Sequence, residues 1–292
     1  MNIYYNGLSI IIPVYNEENA ILSTIEQINT IMKNSEIEYE IIIVNDGSTD
    51  NTSQILKNSG INFQLAEHEK NKGYGAALKT GIMQSKYDIV AITDADETYP
   101  NEEIPKMFKE LNEYNMIVGA RTGTNVKIPL IRRPAKWFIN KLGNYLTNYK
   151  IPDINSGLRL FWKKDALRFI NIIPDGFSFT TTITLAMLTN DLKVKYVPIN
   201  YMTRKGKSKI RPVYDTLNFI QLIIRTVMYF NPLKIFVPLS LILFCLSIAV
   251  FIYSTLALPK ILDATVAILF IAGIQMLAIG MIADMIDKRT KL

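Results

Sequence analysis

Two aspartates, Asp94 and Asp96, come directly after an apolar run at 88–92 that predicts a buried strand. In an open α/β sheet, ligands bind beyond the carboxyl ends of the strands, so this position suits a binding site. Mg²⁺ takes oxygen ligands and is commonly held by one or two carboxylates together with substrate phosphates. The D-A-D spacing therefore indicates a divalent-metal site, with a polar turn as the alternative for so short a pattern.

The elements that would position these carboxylates are apolar runs separated by segments with helical spacing. The predicted strands lie at 8–14, 40–44, 61–66, 88–93 and 115–121. Strands that alternate with helices indicate βαβ units and a mostly parallel sheet. Because parallel strands share one carboxyl edge, we expect the acidic residues that follow three of them to lie along it. They are Glu17, Asp46, Asp94 and Asp96.

A glycine pair, Gly73 and Gly75, opens a predicted helix that reaches about residue 85. A dinucleotide-binding fold places G-x-G-x-x-G straight after its first strand. Here the first strand is followed by Tyr15-Asn16-Glu17 instead. The sequence therefore excludes that fold.

The net charge of +6 conceals two oppositely charged parts of the chain. Residues 1–120 contain 8 Lys and Arg against 18 Asp and Glu, a net charge of −10, whereas residues 121–211 contain 18 against 4, a net charge of +14. An acidic part suits a cation, and a basic part suits phosphates or an anionic membrane surface. Solvated faces are the alternative, but so large a change favours a functional cause.

The chain has one cysteine, Cys245, and one histidine, His68. A single cysteine forms no intrachain disulfide, which fits a reducing compartment. His68 lies in a charged stretch that predicts an exposed turn, and we expect no role for it. No basic segment followed by an apolar run opens the chain, so no signal peptide is expected.

Two long uncharged runs, at 235–258 and 264–283, predict membrane-spanning helices. About 20 residues suffice to cross a bilayer core of about 30 Å. The short loop between the runs indicates an antiparallel hairpin. Lys and Arg cluster at 204–211 and 288–291, and the positive-inside rule then predicts the N-terminal domain and both termini in the cytoplasm. A pair of buried core helices is the alternative.

Four motifs together carry a resemblance to a known family. The chain has I-P-V-Y-N-E at 12–17, N-D-G-S-T-D at 45–50, N-K-G-Y-G-A at 71–76 and D-A-D at 94–96. In order and spacing they resemble the inverting family 2 glycosyltransferases of the GT-A fold, and more closely the dolichyl-phosphate mannose synthases and bacterial polyprenyl-phosphate glycosyltransferases. The resemblance covers about residues 8–211.

The resemblance implies an α/β architecture with a GT-A catalytic domain, Rossmann-like with a mostly parallel sheet, at 1–211. An amphipathic interfacial helix is expected at 212–232, and a two-helix transmembrane hairpin with a short basic tail at 233–292. The protein would be an integral membrane protein whose catalytic domain faces the cytoplasm. A homo-oligomer stays open, and no nucleic-acid partner is expected.

The resemblance also implies a nucleotide-sugar site in the first part of the chain. The nucleotide-sugar contacts are expected from Pro13, Tyr15, Glu17, Asp46, Lys72, Gly73, Asp94 and Ala95. Mg²⁺ or Mn²⁺ is expected on the donor diphosphate, with Asp94, Asp96 and Thr98 at the metal. Mannose synthases have Gln at the position of Thr98, and a hydroxyl is a weaker and shorter ligand, so the alternative is that Asp96 holds the metal with water.

The acceptor side is implied by D-I-N-S-G-L-R at 153–159, which resembles the family's D-x-x-S-G-[FL]-R motif. Asp96, Asp153 and Arg159 are the expected catalytic residues, and the loop at 204–209 resembles a lid. Phosphate contacts are expected from Arg121, Arg132, Arg133, Ser156, Arg159, Arg204, Lys205, Lys207 and Lys209. A structural ion pair for Arg159 and a turn cap for Asp153 are the alternatives.

The implied activity is metal-dependent transfer of a sugar, with inversion, from a donor of the UDP-glucose or GDP-mannose type to a polyprenyl phosphate such as dolichyl or undecaprenyl phosphate. One alternative is a polymerising glycan synthase, but such enzymes carry a Q-x-x-R-W motif that this sequence lacks. Another is a non-catalytic membrane protein that binds or flips sugar lipids, which would not need the acidic half. The sugar, the base and the prenyl chain stay open.

Overall fold

The computed structural model describes residues 7–123, 144–145, 147–176, 178–202 and 231–290, with single positions at 141, 221, 224, 228 and 229. The chain divides into two compact units, Met1–Ile220 and Gln221–Leu292. The interfacial helix predicted at 212–232 lies mostly outside the described residues, so it stays a prediction together with the domain boundaries.

A seven-stranded sheet forms the centre of the first unit. Its strands are Leu8–Val14 (β1), Tyr39–Asn45 (β2), Gln64–Glu67 (β3), Ile89–Ile92 (β4), Met116–Ala120 (β5), Arg159–Trp162 (β6) and Val194–Pro198 (β7). The order is β3-β2-β1-β4-β6-β5-β7. Strands β1 to β4 are mutually parallel, β5 is parallel to β7, and β6 runs antiparallel to both of its neighbours, β4 and β5. The predicted mostly parallel sheet is confirmed.

Helices cover the sheet and bury their apolar stripes against it. They are Ile21–Lys33 (α1), Thr52–Asn58 (α2), Tyr74–Gln84 (α3), Ile104–Glu110 (α4), Lys163–Phe169 (α5) and Phe179–Thr189 (α6). The residues of α1 at the predicted 3–4 spacing, among them Ile21, Ile25 and Ile28, are fully buried in the core. Every residue of β1 is buried as well, which explains its continuous apolar run.

Two strands, β6 and β7, escaped the sequence-based prediction. Strand β6 has four residues and begins with Arg159, whose charge breaks the apolar pattern. Strand β7 lies at the edge of the sheet, is half-buried, and alternates a lysine with apolar residues. Because both strands form through pairing with distant parts of the chain, their local patterns are weak.

The second unit contains two long apolar helices, Leu233–Ala257 (α7) and Asp263–Thr290 (α8). Both are long and apolar enough to cross a membrane, and they match the predicted spans. Small residues bring them together: Ser240 Oγ donates to Gly273 O at 2.8 Å, and Ser247 Oγ donates to Val266 O at 2.9 Å. These contacts confirm the antiparallel hairpin, with the close packing of small residues that is typical of membrane helices.

Candidate active site

The D-A-D motif follows β4 at the carboxyl edge of the sheet, and both carboxylates are half-buried. The Tyr74 hydroxyl donates to Asp94 Oδ1 at 3.0 Å. The Thr98 hydroxyl donates to Asp96 Oδ1 at 2.5 Å, and the Thr98 N–H approaches the same oxygen at 3.3 Å. Donors that hold ligating carboxylates in one orientation are typical of metal sites.

Thr98 lies behind Asp96, with an exposed fraction of 1%. A hydroxyl that is buried and donates to Asp96 is better suited to orienting this carboxylate than to ligating a metal directly. We therefore expect Thr98 to position Asp96 rather than to ligate the metal.

Two hydroxyl groups of helix α1 bond the loop that carries Asp94 and Asp96. The Thr24 hydroxyl donates to Ala95 O at 3.1 Å, and the Ser23 hydroxyl donates to Glu97. Glu97 has a φ of 59°, in the left-handed region that non-glycine residues seldom adopt. Such a conformation persists where its surroundings hold it, so the two hydroxyls help to fix the loop between Asp94 and Thr98.

The donor set fits a divalent cation that shares its coordination with phosphate. Within the described ranges, no group of three or more His, Cys, Asp or Glu side chains could hold a metal alone. Asp94 and Asp96 supply two carboxylates, which is the usual protein contribution to a Mg²⁺ site that also uses substrate phosphates. These residues therefore fit Mg²⁺ or Mn²⁺ on a donor diphosphate.

The loops that follow β1 and β2 are bonded to each other. Asn16, with a φ of 57°, donates its N–H to Ser48 Oγ at 3.0 Å and accepts the N–H of Thr49 at 2.8 Å. The N–H of Glu17 donates to Thr52 Oγ1 at 3.1 Å. These bonds place Tyr15 and Glu17, both half-buried, at the carboxyl edge of the sheet, while Pro13 is buried within β1.

Asp46 is buried directly after β2 and holds the next loop. Its Oδ1 accepts the N–H of Lys72 at 2.9 Å, and its Oδ2 accepts the N–H of Gly73 at 2.8 Å. His68 Nδ1 lies 2.6 Å from the same Oδ1, and the His68 side chain is 7% exposed. The prediction that His68 lies in an exposed turn is therefore wrong, because its ring is enclosed between Asp46 and Thr80 of α3.

At the start of α3, the N–H groups of Gly75 and Ala76 are bonded to a neighbouring backbone segment. The N–H of Gly75 donates to Gly176 O at 3.1 Å, and the N–H of Ala76 donates to Asp175 O at 2.9 Å. A Cβ atom on Gly75 would lie 2.2 Å from Pro174 O. The glycines therefore allow two backbone segments to approach closely.

Arg121 and Asp153 form a bidentate ion pair after β5. Arg121 Nε donates to Asp153 Oδ2 at 2.7 Å, Nη2 donates to Oδ1 at 3.0 Å, and the guanidinium lies 5.2 Å from the centre of the Tyr201 ring. Burial opposes the charged form, but the hydrogen-bonded Asp153 raises the pKa of Arg121, so its charge is permanent. Both Asp153 oxygens are fully engaged, Oδ2 by the N–H and Nε of Arg121 and Oδ1 by Nη2 of Arg121 and the N–H of Asn155, which does not fit the direct contact with an acceptor that was expected.

Arg159 and Ser156 are fully buried, so their positions correct the expected phosphate contacts. The Arg159 guanidinium donates to Ser156 O, to Thr180 O at 3.0 Å and to Thr184 Oγ1 at 2.9 Å, and burial lowers its pKa. The Ser156 hydroxyl donates to Gly119 O. Arg159 thus connects β6 to α6, and a phosphate cannot reach it there.

Six expected phosphate contacts lie outside the described residues. They are Arg132, Arg133, Arg204, Lys205, Lys207 and Lys209. Lys72 is described and exposed, and its N–H is held by Asp46. Among the described cations of the predicted acceptor set, Arg121 is therefore the one with exposed side-chain surface.

Three residues of this region were missed by sequence reasoning: Tyr74, Tyr99 and Gly157. The Tyr99 hydroxyl accepts the N–H of Gly157 at 2.6 Å, and a Cβ atom on Gly157 would lie 2.8 Å from Asp94 Oδ2. Burial raises the pKa of Tyr74 and of Tyr99 above the usual range, so both hydroxyls keep their protons. Tyr74 and Gly157 lie inside motifs already singled out, and Tyr99 lies three residues after the D-A-D motif, so closeness to these motifs was the available signal.

The fold and the site define a glycosyltransferase of the GT-A type. The family model described as glycosyl transferase family 2 matches residues 9–168, and the one described as GtrB C-terminal hairpin matches residues 231–288. The chain belongs to glycosyl transferase family 2.

Two curated relatives come from Haloferax volcanii. The chain is 29% identical to a dolichyl-phosphate hexose transferase over 71% of its own length and 88% of the relative. It is 28% identical to the low-salt glycan biosynthesis hexosyltransferase Agl6 over 71% of its own length, but it spans only 51% of that protein.

A solved structure shows the same fold. Glucosyl-3-phosphoglycerate synthase from Mycobacterium tuberculosis, in complex with Mn²⁺, UDP and phosphoglyceric acid, superposes with a TM-score of 0.60 and 17% identity. The match covers 76% of this chain and 78% of that one.

Proposed function

We propose that the protein transfers a sugar from a nucleotide-sugar donor to a polyprenyl phosphate, with inversion and with Mg²⁺ or Mn²⁺. One observation carries the proposal: two carboxylates, each held by a hydroxyl donor, lie at the carboxyl edge of the sheet in a chain that also has an apolar helical hairpin. The name of one relative, the dolichyl-phosphate hexose transferase, supports a polyprenyl-phosphate acceptor. A donor of the UDP-glucose or GDP-mannose type fits the same site.

The reaction needs an oriented acceptor more than a base. The second pKa of a phosphate monoester is about 6, so the acceptor is largely dianionic at neutral pH and needs no deprotonation. One of its oxygens attacks the anomeric carbon, the bond from that carbon to the donor diphosphate breaks, and the nucleoside diphosphate leaves with the electron pair. A single in-line displacement inverts the anomeric carbon.

The residues of the site divide this work. Arg121, fixed by Asp153 and Tyr201, presents a permanent positive charge to an anionic substrate. Asp94 and Asp96 would hold the divalent cation, which when bound neutralises charge on the leaving diphosphate. Tyr74 and Thr98 keep the two carboxylates in place. Because binding has already removed the translational and rotational freedom of both substrates, the chemical step does not incur that entropy loss.

The apolar hairpin supports a protein that acts at a membrane. The spans and the flanking positive charges support an integral membrane protein with the catalytic domain in the cytoplasm. A lipid phosphate would then reach the site from the bilayer surface.

The test offers a panel of nucleotide sugars with polyprenyl phosphate to the purified full chain in nanodiscs, with mass spectrometry of the lipid product. We expect one donor to give a sugar-phosphate lipid, and Asp96→Ala to give none. Release of free sugar without a lipid product, from every donor tested, would contradict the acceptor class. A polymeric product would favour a synthase instead.

A further inference from the structure

His68 is a buried titratable residue that the proposed chemistry leaves unused. Its Nδ1 lies 2.6 Å from Asp46 Oδ1, and its Nε2 lies 2.9 Å from Thr80 Oγ1. Because an ionised carboxylate only accepts hydrogen bonds, Nδ1 carries the proton and donates it to Asp46. In the neutral ring, Nε2 then accepts the Thr80 hydroxyl, so the imidazole links the end of β2 to α3.

The hydrogen bonds that Asp46 already accepts leave its carboxylate little capacity to accept another. Its Oδ1 accepts His68 and the N–H of Lys72, and its Oδ2 accepts the N–H of Gly73. A carboxylate has about four acceptor positions, so roughly one remains, and it belongs to Oδ2. A nucleotide that donates an N–H or O–H to Asp46 must use that one position, which requires a fixed carboxylate plane.

The backbone next to Asp46 has little freedom to compensate. Gly47 has a φ of 66°, and a Cβ atom there would lie 2.5 Å from the carbonyl carbon of Lys70. The N–H of His68 also donates to Asn45 O at 2.9 Å. The segment from His68 to Gly73 therefore lies directly on the turn after β2, and the Asp46 carboxylate holds it at His68, Lys72 and Gly73.

We propose that His68 is a positioning residue for the nucleotide. It fixes the Asp46 carboxylate so that the remaining Oδ2 position faces a donor group of the nucleotide, and it acts only through Asp46. The inference rests on the proposed function, because it assigns the nucleotide to the loops after β1 and β2. A purely structural histidine would affect stability without changing the nucleotide affinity of the folded protein.

Two substitutions separate the ring nitrogens. In His68→Asn the amide nitrogen takes the place of Nδ1 and keeps the donor to Asp46, whereas in His68→Gln the amide group takes the place of Nε2 and the donor is lost. The matched control is Tyr39→Phe, which removes a 3.0 Å hydrogen bond to Asn29 at the opposite end of β2. Calorimetry with UDP and with GDP, each with Mg²⁺, measures the nucleotide affinity of the purified full chain.

We expect roughly tenfold weaker nucleotide binding in His68→Gln, because a carboxylate that is no longer fixed weakens the one charge-assisted hydrogen bond that it offers the nucleotide. His68→Asn should stay within about threefold of the wild type on the same scale, and Tyr39→Phe should not change the affinity. Affinity that is unchanged in His68→Gln, or equally reduced in both His68 variants, would overturn the proposal. So would a wild type that binds neither nucleotide.

If His68→Gln does not fold, Thr80→Val provides the second test, because it frees Nε2 but keeps the bond to Asp46. We expect about threefold weaker binding, restored in Thr80→Ser, and unchanged affinity would overturn the proposal. A wild type that binds UDP or GDP but transfers no sugar would contradict the proposed function alone. The variants would then still test His68.

Discussion

Asp153 holds Arg121 through two parallel hydrogen bonds, from Nε to Oδ2 at 2.7 Å and from Nη2 to Oδ1 at 3.0 Å. The carboxylate is 2% exposed, whereas the Arg121 side chain is 23% exposed. The anion therefore lies behind the cation, and the cation faces solvent at the carboxyl edge of the sheet. This arrangement turns the expected catalytic aspartate into a residue that orients an arginine.

Asp153→Asn should impair the use of the lipid phosphate. It replaces one charge-assisted acceptor of Arg121, at a cost of about 1.5–3 kcal/mol, and lets the guanidinium rotate. We expect a higher KM for polyprenyl phosphate or a lower kcat, with nucleotide affinity nearly unchanged. Steady-state kinetics with both substrates varied, together with nucleotide calorimetry, measures this. If the variant kept normal kinetics with the lipid but lost nucleotide binding, the Arg121–Asp153 ion pair would be assigned to the donor site instead.

Gly157→Ala should disturb Asp94 directly. The added Cβ atom would lie 2.8 Å from Asp94 Oδ2 and would displace a carboxylate that is also bonded to Tyr74. We expect a clear loss of sugar transfer and weaker Mn²⁺ binding. Electron paramagnetic resonance measures the Mn²⁺ binding. Gly176→Ala is the matched control, because a Cβ atom there has no heavy atom within 4 Å. Equal behaviour of the two variants would mean that Asp94 tolerates displacement.

Removal of the metal or of its carboxylate should stop transfer. We expect Asp96→Ala to be inactive, and excess chelator to inactivate the wild type until Mg²⁺ or Mn²⁺ is restored. Thr98→Val should raise the metal concentration needed for half-maximal activity, because Asp96 loses a 2.5 Å hydrogen bond, and Thr98→Ser should restore it. Full activity in excess chelator would exclude a metal role for this motif.

Arg159→Met should lower stability rather than act on one substrate. The guanidinium is fully buried and donates to the backbone and to Thr184, so its loss leaves buried acceptors without partners. Each unsatisfied group costs about 1–3 kcal/mol. We expect a markedly lower Tm, in contrast to Arg168→Met at an exposed position. An unchanged Tm with a selective rise in KM for the lipid would contradict this structural role and support a contact between Arg159 and the acceptor phosphate.

Cysteine labelling should establish the orientation of the hairpin. In a Cys245→Ala background, a cysteine at Leu262, between the two spans, should react with an impermeant reagent on intact cells. A cysteine in place of Arg289 should react only after the cells are opened, because the positive charges near the C-terminus favour the cytoplasm. The opposite pattern would put the donor site on the wrong side for a cytoplasmic nucleotide sugar.

The sequence by itself determined the architecture that follows from local pattern. Continuous apolar runs with helical segments between them predicted β1 to β5, and the uncharged runs predicted both helices of the hairpin. The position of Asp94 and Asp96 at a strand end was also legible, because strand and motif are adjacent in the chain. A segment that is buried along its whole length is apolar along its whole length. This pattern is visible in the sequence without knowing which residues the segment packs against.

Only the tertiary structure decided what each charged side chain does. Arg121 meets Asp153 from 32 positions away, Asp46 meets His68 from 22 positions away, and Arg159 is enclosed by α6. A buried charge must be paired or hydrogen-bonded, but its residue type does not say with which partner. The sequence could therefore identify cations suited to phosphate, whereas the fold assigned one of them to the site and another to the core.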